Sequence, residues 1–251
     1  MNLKKEQLDN LTNEGVEQLS SDERRHFLKM GLMVTGVFAG GSLLSVTSVV
    51  DKVYASTGLF AEKYPYKPHY SMIMHMDRCI DCEKCVAACK KTNKVPDYGF
   101  RTTVLERPIP DGIDQKREFL PILCNHCNNP QCTRVCPTRA TYKDQQNGIV
   151  MVNIKKCIGC LSCQLACPYN ARYFNEDKWA VDKCNFCFDT RLSKGEKLTA
   201  CANACPAGVR IFGDISKPSD RVYREVHTVA RAVWVLRPEA ATKPNVFYTR
   251  G

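Results

Sequence analysis

Cys157-Ile158-Gly159-Cys160-Leu161-Ser162-Cys163-Gln164-Leu165-Ala166-Cys167-Pro168 has the pattern CxxCxxCxxxCP. Three thiols sit on a tight loop and a fourth follows one helical turn later, which suits a cubane of iron and sulfide rather than a single tetrahedral metal. The chain has 251 residues and 16 Cys, so inorganic clusters are expected to organise the interior as much as an apolar core does.

Three more groups follow the same grammar. Group one is Cys79, Cys82, Cys85 and Cys89, with Lys90 where Pro would be expected. Group two is Cys124, Cys127, Cys132 and Cys136, closed by Pro137. Its second gap is lengthened, filled by Asn128, Asn129, Pro130 and Gln131, so the loop there must differ. The opening motif is group three, and group four is Cys184, Cys187, Cys201 and Cys205 with Pro206, its long gap carrying Arg191, Lys194 and Lys197. An internal repeat links them: Cys136-Pro137-Thr138-Arg139-Ala140-Thr141-Tyr142, Cys167-Pro168-Tyr169-Asn170-Ala171-Arg172-Tyr173 and Cys205-Pro206-Ala207-Gly208-Val209-Arg210-Ile211. In each, Pro ends a short helix and a β-like stretch begins. Arg78, Lys156 and Lys183 directly precede the first Cys of groups one, three and four. Cations beside an anionic cluster would raise its potential, but sequence alone does not say whether these three turn inward.

Disulfides and zinc are the rival uses of so many cysteines. Against disulfides stand four clusters of one grammar, three of them with a Cys-Pro ending, and zinc would need only pairs of CxxC, leaving the third Cys and the Cys-Pro ending without purpose. Four [4Fe-4S] clusters are therefore expected, with no [3Fe-4S] site because no Cys is replaced. His126 lies between Cys124 and Cys127 and reads as a solvent-side or hydrogen-bonding residue rather than a ligand. There is no CxxCH for covalent haem, no GxGxxG after a strand, and no nucleophile or acid–base constellation. The net charge of +10 would suggest nucleic acid, but four clusters of about −2 each nearly cancel it. The basic balance is therefore read as internal compensation.

Residues 1–55 contain no Cys. Asp22-Glu23-Arg24-Arg25-His26-Phe27-Leu28-Lys29 resembles the twin-arginine export signal, followed by a weakly hydrophobic stretch from Met30 to Val50 and a cleavage point after Ala55. The alternative is retention as a signal anchor, since Gly31 to Val50 is uncharged. Twin-arginine export carries folded proteins, which suits a cofactor built inside the cell and used outside it. A signal over 1–55 and a periplasmic domain over 56–251 are thus expected.

Elsewhere, Ser71-Met72-Ile73-Met74 reads as a strand. Alternation from Phe100 to Leu105, the turn Pro110-Asp111-Gly112 and a return near Phe119 to Leu123 read as a β-hairpin, a possible docking element. Val222, Val226, Val229, Val233 and Leu236 have helical spacing, predicting a C-terminal helix over Ser219–Leu236 closed by Pro238. The tail Lys243–Tyr248 reads as extended and as a candidate clasp for a partner.

The repeated strand, cluster loop, short helix and strand resembles the bacterial two-cluster ferredoxin fold, present twice: an α+β, double-ferredoxin architecture with an inserted hairpin. In that fold the fourth Cys of one group ligates the cluster of its partner group. With its export signal and lengthened second group, the chain resembles the iron–sulfur subunits of the polysulfide, tetrathionate and dimethyl sulfoxide reductase family. It is also similar to the related subunit of the periplasmic cytochrome nitrite reductase system. Phe100-Arg101-Thr102-Thr103-Val104, Cys124-Asn125-His126-Cys127 and Lys243-Pro244-Asn245-Val246-Phe247-Tyr248 look closest to the tetrathionate and nitrite branches. The resemblance implies four ligand sets: Cys79, Cys82, Cys85 with Cys205; Cys184, Cys187, Cys201 with Cys89; Cys124, Cys127, Cys132 with Cys167; and Cys157, Cys160, Cys163 with Cys136. It implies a non-catalytic subunit relaying electrons between a multispan quinone-reactive membrane subunit, on the side of groups two and three, and an exported catalytic subunit, on the side of groups one and four. That catalytic partner is a molybdopterin reductase of sulfur compounds or, alternatively, a multihaem cytochrome of the nitrite or sulfite type. An export signal of the chain's own shifts a little weight toward a separately exported partner.

Overall fold

The computed structural model describes residues 64–108, 117–230 and 232–250. The expected signal over 1–55 and the hairpin turn at Pro110-Asp111-Gly112 lie outside them.

A four-stranded sheet has at its centre β1 (Tyr70–His75), flanked on one side by β8 (Arg210–Asp214), antiparallel with Met72 opposite Phe212, and on the other by β10 (Val246–Thr249), parallel with Met72 opposite Val246. β9 (Val233–Trp234) completes it beside β10. Because strand side chains alternate, β1 serves two cores. Met72 and Met74 turn toward the cysteine-bearing core with Phe212, Val246 and Tyr248, while Ile73 packs with Ile211, Ile215 and Val222 on the far face. Each such side chain contributes about 1.5–3 kcal/mol on full burial.

Around this sheet lie three antiparallel pairs: β2 (Thr102–Pro108) with β3 (Arg117–Leu123), β4 (Thr141–Lys143) with β5 (Val150–Val152), and β6 (Tyr173–Asn175) with β7 (Ala180–Asp182). The turn between β4 and β5 uses Gly148 at φ +70°, where a Cβ would lie 2.5 Å from the Tyr66 ring. The helices are α1 (Lys84–Asn93), α2 (Gln131–Arg134), α3 (Ser162–Leu165), α4 (Ala200–Asn203) and α5 (Arg221–Arg224). In α1, Cys85, Cys89 and Asn93 recur every four residues and form its buried face. α2, α3 and α4 are single turns, each ending before a Cys-Pro pair, as the repeat predicted.

The C-terminal helix expected over Ser219–Leu236 is not formed as such. α5 runs into a π turn at Glu225–Val229, the backbone extends at Ala230, and Val233–Trp234 is β9. The valine spacing that mimicked a helix serves the far core: Val222 and Val226 reach it from helical turns and Val233 from a strand. The tail is extended as expected, but β10 is an inner strand of this chain's own sheet, with Val246 and Tyr248 fully buried, so it is not a free clasp. Among the described residues no helix is long and apolar enough to cross a membrane.

Candidate cluster sites

Groups one and three have nearly the same backbone. A single 3-10 turn, Met76–Arg78 or Ile154–Lys156, delivers the first Cys at φ −73° and −74°. Positive φ then recurs at the same two places, Asp81 and Glu83 in one loop and Gly159 and Leu161 in the other. For three non-glycine residues this conformation is unfavourable by roughly 1 kcal/mol or more each. It curls the loop, and in group one Cys79, Cys82 and Cys85 thereby line one cavity. Groups two and four share a different start, Cys-Asn-x-Cys, with His126 and Phe186 equivalent and both at positive φ. These two rings stack on each other, centroids 3.9 Å apart at 30°. The imidazole is fully buried, its Nδ1 accepting from the Val150 amide at 3.1 Å. His126 is therefore a hydrogen-bonding residue and not a solvent-side one. Burial, with Lys183, Lys143 and Arg172 nearby, holds its pKa well below the usual value.

The thiols gather across groups. Cys79, Cys82 and Cys85 line one cavity together with Cys205 and Arg210. Cys124, Cys127 and Cys132 line another with Cys167 and Arg172. Cys184 interacts with Cys89, Cys201 and Cys187, and the Asn93 amide lies 3.6 Å from Cys89 Sγ and 3.5 Å from Cys187 Sγ. Cys136 and Cys160 are electrostatic neighbours. All sixteen cysteines are free thiols, and among the described residues no three His, Cys, Asp or Glu side chains converge closely enough for a single ion.

The lengthened gap of group two is held by the tail. The Asn128 and Asn129 amides donate to the carbonyls of Lys243 and Thr242 at 2.8 and 2.9 Å. Asn245 Nδ2 donates to the His126 carbonyl at 2.7 Å and to Asn128 Oδ1 at 2.9 Å. The extra residues thus exist to meet a segment more than a hundred positions away.

Among the described residues, five cations are turned toward the thiols. Arg172, 1% exposed, places Nη2 2.9 Å from Cys132 Sγ. Arg210 reaches Cys85 and Cys201, and its Nη2 donates to Thr102 Oγ1 at 2.9 Å. Arg101 donates to Asn93 Oδ1, Asn185 Oδ1 and Asp182 Oδ1 at 3.1, 3.2 and 2.8 Å. Lys183 donates to the carbonyls of Val150 and Cys184, and Lys143 to those of His126, Cys127 and Gly148 at 3.1, 2.9 and 2.6 Å. Of the three cations that precede a first Cys, only Lys183 turns inward; Arg78 and Lys156 are exposed. Arg172 and Arg210 were legible in principle, since both stand five residues after a closing Cys in the repeat. Arg101, Lys143 and Asn93 carry no such signal.

This interior fits an anionic iron–sulfur group. Burial, and then neighbouring cysteines, push the Cys89 and Cys127 thiols up to about 12, so on their own they stay protonated. Burial likewise lowers Lys143 to about 8 and lowers Lys183. Arg210 Nη1 and Arg101 Nε are buried without a hydrogen-bond partner. Thiols reluctant to ionise and cations short of partners relieve each other only when a group binds that takes the thiolates and carries negative charge.

The fold and sites therefore define a ferredoxin-type iron–sulfur protein. Comparison with known families agrees: residues 115–215 match a 4Fe-4S dicluster domain and residues 76–98 a 4Fe-4S binding domain. The sequence is 37% identical to a tetrathionate reductase subunit of Salmonella typhimurium over 234 residues, covering 92% of this protein and 88% of that one. It is 41% identical to a polysulfide reductase subunit of Wolinella succinogenes (71% and 92% covered) and 37% identical to protein NrfC of Escherichia coli (89% and 93%). The protein belongs to this family of iron–sulfur electron-transfer subunits.

Proposed function

We propose that this chain is the four-cluster relay of an exported respiratory complex, its two halves arranged as a double ferredoxin. Cys79, Cys82, Cys85 and Cys205 would hold one cluster; Cys184, Cys187, Cys201 and Cys89 the second; Cys124, Cys127, Cys132 and Cys167 the third; and Cys157, Cys160, Cys163 and Cys136 the fourth. The observation that carries this reading is the crossing of closing cysteines between groups, Cys205 into the first cavity and Cys167 into the second. When bound, such clusters supply one-electron storage with full thiolate ligation and no open iron for a substrate. The chain's own residues fix the thiols, exclude water at Cys85, Cys89, Cys163 and Cys201, and balance charge with the buried cations.

The sites form a series. Arg210 interacts with both the Cys85 and Cys201 thiols, Cys184 interacts with Cys124, and Arg172 interacts with both Cys132 and Cys163. At the Cys157 end three large apolar side chains, Ile158, Leu165 and Trp179, are 66%, 88% and 78% exposed, beside the exposed Lys155, Lys156, Glu176 and Asp177. A face of this kind beside the exposed Cys160 suits docking on a membrane subunit, which supports electrons entering there from quinol. The Cys79 end, with Asp81, Glu83 and Lys84 exposed around Cys82 beside the equally exposed Ile80, carries the charged residues within its cluster loop and suits a water-soluble catalytic partner. The partner in this reading is a molybdopterin reductase of tetrathionate or polysulfide type, and the twin-arginine stretch supports a periplasmic complex. A second reading, supported by the likeness to NrfC, makes the chain the electron feed of a multihaem cytochrome. Anaerobic purification from gently solubilised membranes decides between them: molybdenum in the associated large subunit supports the first, covalent haem without molybdenum the second. A preparation with neither would overturn both.

A further inference from the structure

The Cys-Pro repeat contains one position whose chemistry differs among the sites. Five residues after the closing Cys stand Arg172, Arg210 and Thr141. Arg172 meets the Cys124 site, with Nη2 2.9 Å from Cys132 Sγ. Arg210 meets the Cys79 and Cys184 sites through Cys85 and Cys201. Thr141 offers the Cys157 site only a neutral contact, its amide 3.4 Å from Cys136 Sγ. The hydrogen-bond contacts at that site are neutral as well: the Val181 amide at 3.5 Å from Cys157 Sγ and the Thr138 hydroxyl at 3.7 Å from Cys136 Sγ. Arg172 reaches it through Cys163, but more weakly than it reaches Cys132 and Cys124. Lys155 and Lys156, the nearest lysines in sequence, are exposed. By contrast, the Cys124 site has Arg172, Lys183 and Lys143, and all three are at least partly buried. The Cys184 site shares Lys183 and Arg210 with its neighbours, and its Arg101 is already paired with Asp182 at 2.8 Å.

We propose that the residue five positions after the closing Cys grades the relay, so that the Cys124 site holds the cluster of highest potential and the Cys157 site the lowest. The inference rests on the ligand sets proposed above. Reduction adds one negative charge to a cluster, and a buried cation beside a ligand sulfur stabilises that form. A cation left in water is screened and stabilises it far less. Thr141 also has a second role, because its Oγ1 accepts from Arg172 Nη1 at 3.2 Å. The neutral residue of one site thereby aims the cation of its neighbour. One electron passing from the reduced Cys157 cluster to the oxidised Cys124 cluster leaves the first oxidised and the second reduced. That step runs downhill and inward from the Cys157 end.

Potentiometric titration of the anaerobic holoprotein followed by electron paramagnetic resonance tests this, with iron and spin counts taken first. Fewer than four clusters in the wild type would sink the ligand sets themselves, a separate failure from one of the grading. With four present, Arg172→Gln is expected to lower the highest midpoint, changing the reduced-to-oxidised ratio at fixed potential at least about tenfold, or about 59 mV for one electron. Arg172→Lys is expected to restore most of it, which a merely structural role would not do. Cys160→Ser is expected to alter or remove the lowest-potential signal, and it decides the matter if Arg172→Gln does not load. An unchanged highest midpoint in a fully loaded Arg172→Gln protein, or a Cys160→Ser change in the highest-potential signal, overturns the grading.

Discussion

His69 is fully buried, its Nε2 2.9 Å from Asn245 Oδ1 and its ring edge-on to Tyr64 and Tyr66. Burial lowers its pKa below 6.5, against the opposing pull of the Asn245 hydrogen bond and of Asp214. The unfolded chain therefore takes up a proton near pH 6.5 that the folded chain refuses. The stability this group contributes is complete above that value and is lost as pH falls toward the lower folded pKa, at up to about 1.4 kcal/mol per pH unit. The anaerobic unfolding midpoint is expected to drop between pH 7.5 and 5.5, and His69→Gln to flatten that drop. An unchanged slope in the variant would refute the assignment. At the same scale, Asn93→Leu removes the amide donor shared by Cys89 and Cys187 and leaves Arg101 and Thr190 without its Oδ1. It is expected to destabilise the fold by about 1–3 kcal/mol and to lower the potential of one cluster, both read in the same titration and melting experiments.

Among the elements, β10 has the strongest consequence. It pairs in parallel with β1 and antiparallel with β9, and Tyr248 donates from its hydroxyl to the Pro121 carbonyl at 3.1 Å. Tyr248→Phe leaves that carbonyl unpaired and is expected to cost about 1–2 kcal/mol, while Tyr248→Ala opens a cavity and is expected to cost about 3–5 kcal/mol. Anaerobic denaturant titration measures both, and equal costs would mean that the ring packing contributes little. This element also marks the limit of local reading. Val246-Phe247-Tyr248 was legible as extended, but nothing within it states that its partner lies some 170 positions earlier. The valines of Ser219–Leu236 failed as a helix for a related reason: one apolar spacing served a helix, a π turn and a strand, and only contact with Ile73 and Ile211 decided among them.

On the scale of the whole molecule, the cysteine sites and the fold are a single cooperative structure. α2, α3 and α4 have four residues each, far too few to persist alone, and buried cations surround thiols of which Cys89 and Cys127 by themselves stay protonated. The holoprotein is expected to carry about 16 iron and to be brown. Stripping the iron with a chelator under reducing conditions is expected to remove the visible absorption together with near-ultraviolet circular dichroism and protease resistance. An iron-free chain that kept its near-ultraviolet spectrum would show that the apolar core suffices.

The sequence by itself determined the sixteen thiols, their grouping, the Cys-Pro endings and the strand β1, because loop spacing and single-turn helices are local properties of a few adjacent residues. It also carried the Arg172, Arg210 and Thr141 position, present in the repeat but mute about its meaning. Only the tertiary structure decided that Lys183 turns inward while Arg78 and Lys156 stay in water, that the tail grips the lengthened loop of group two, and that His126 stacks on Phe186. Each of these depends on which distant segments share an interior, and the free energy of burying a charge or a ring is fixed by its neighbours in space.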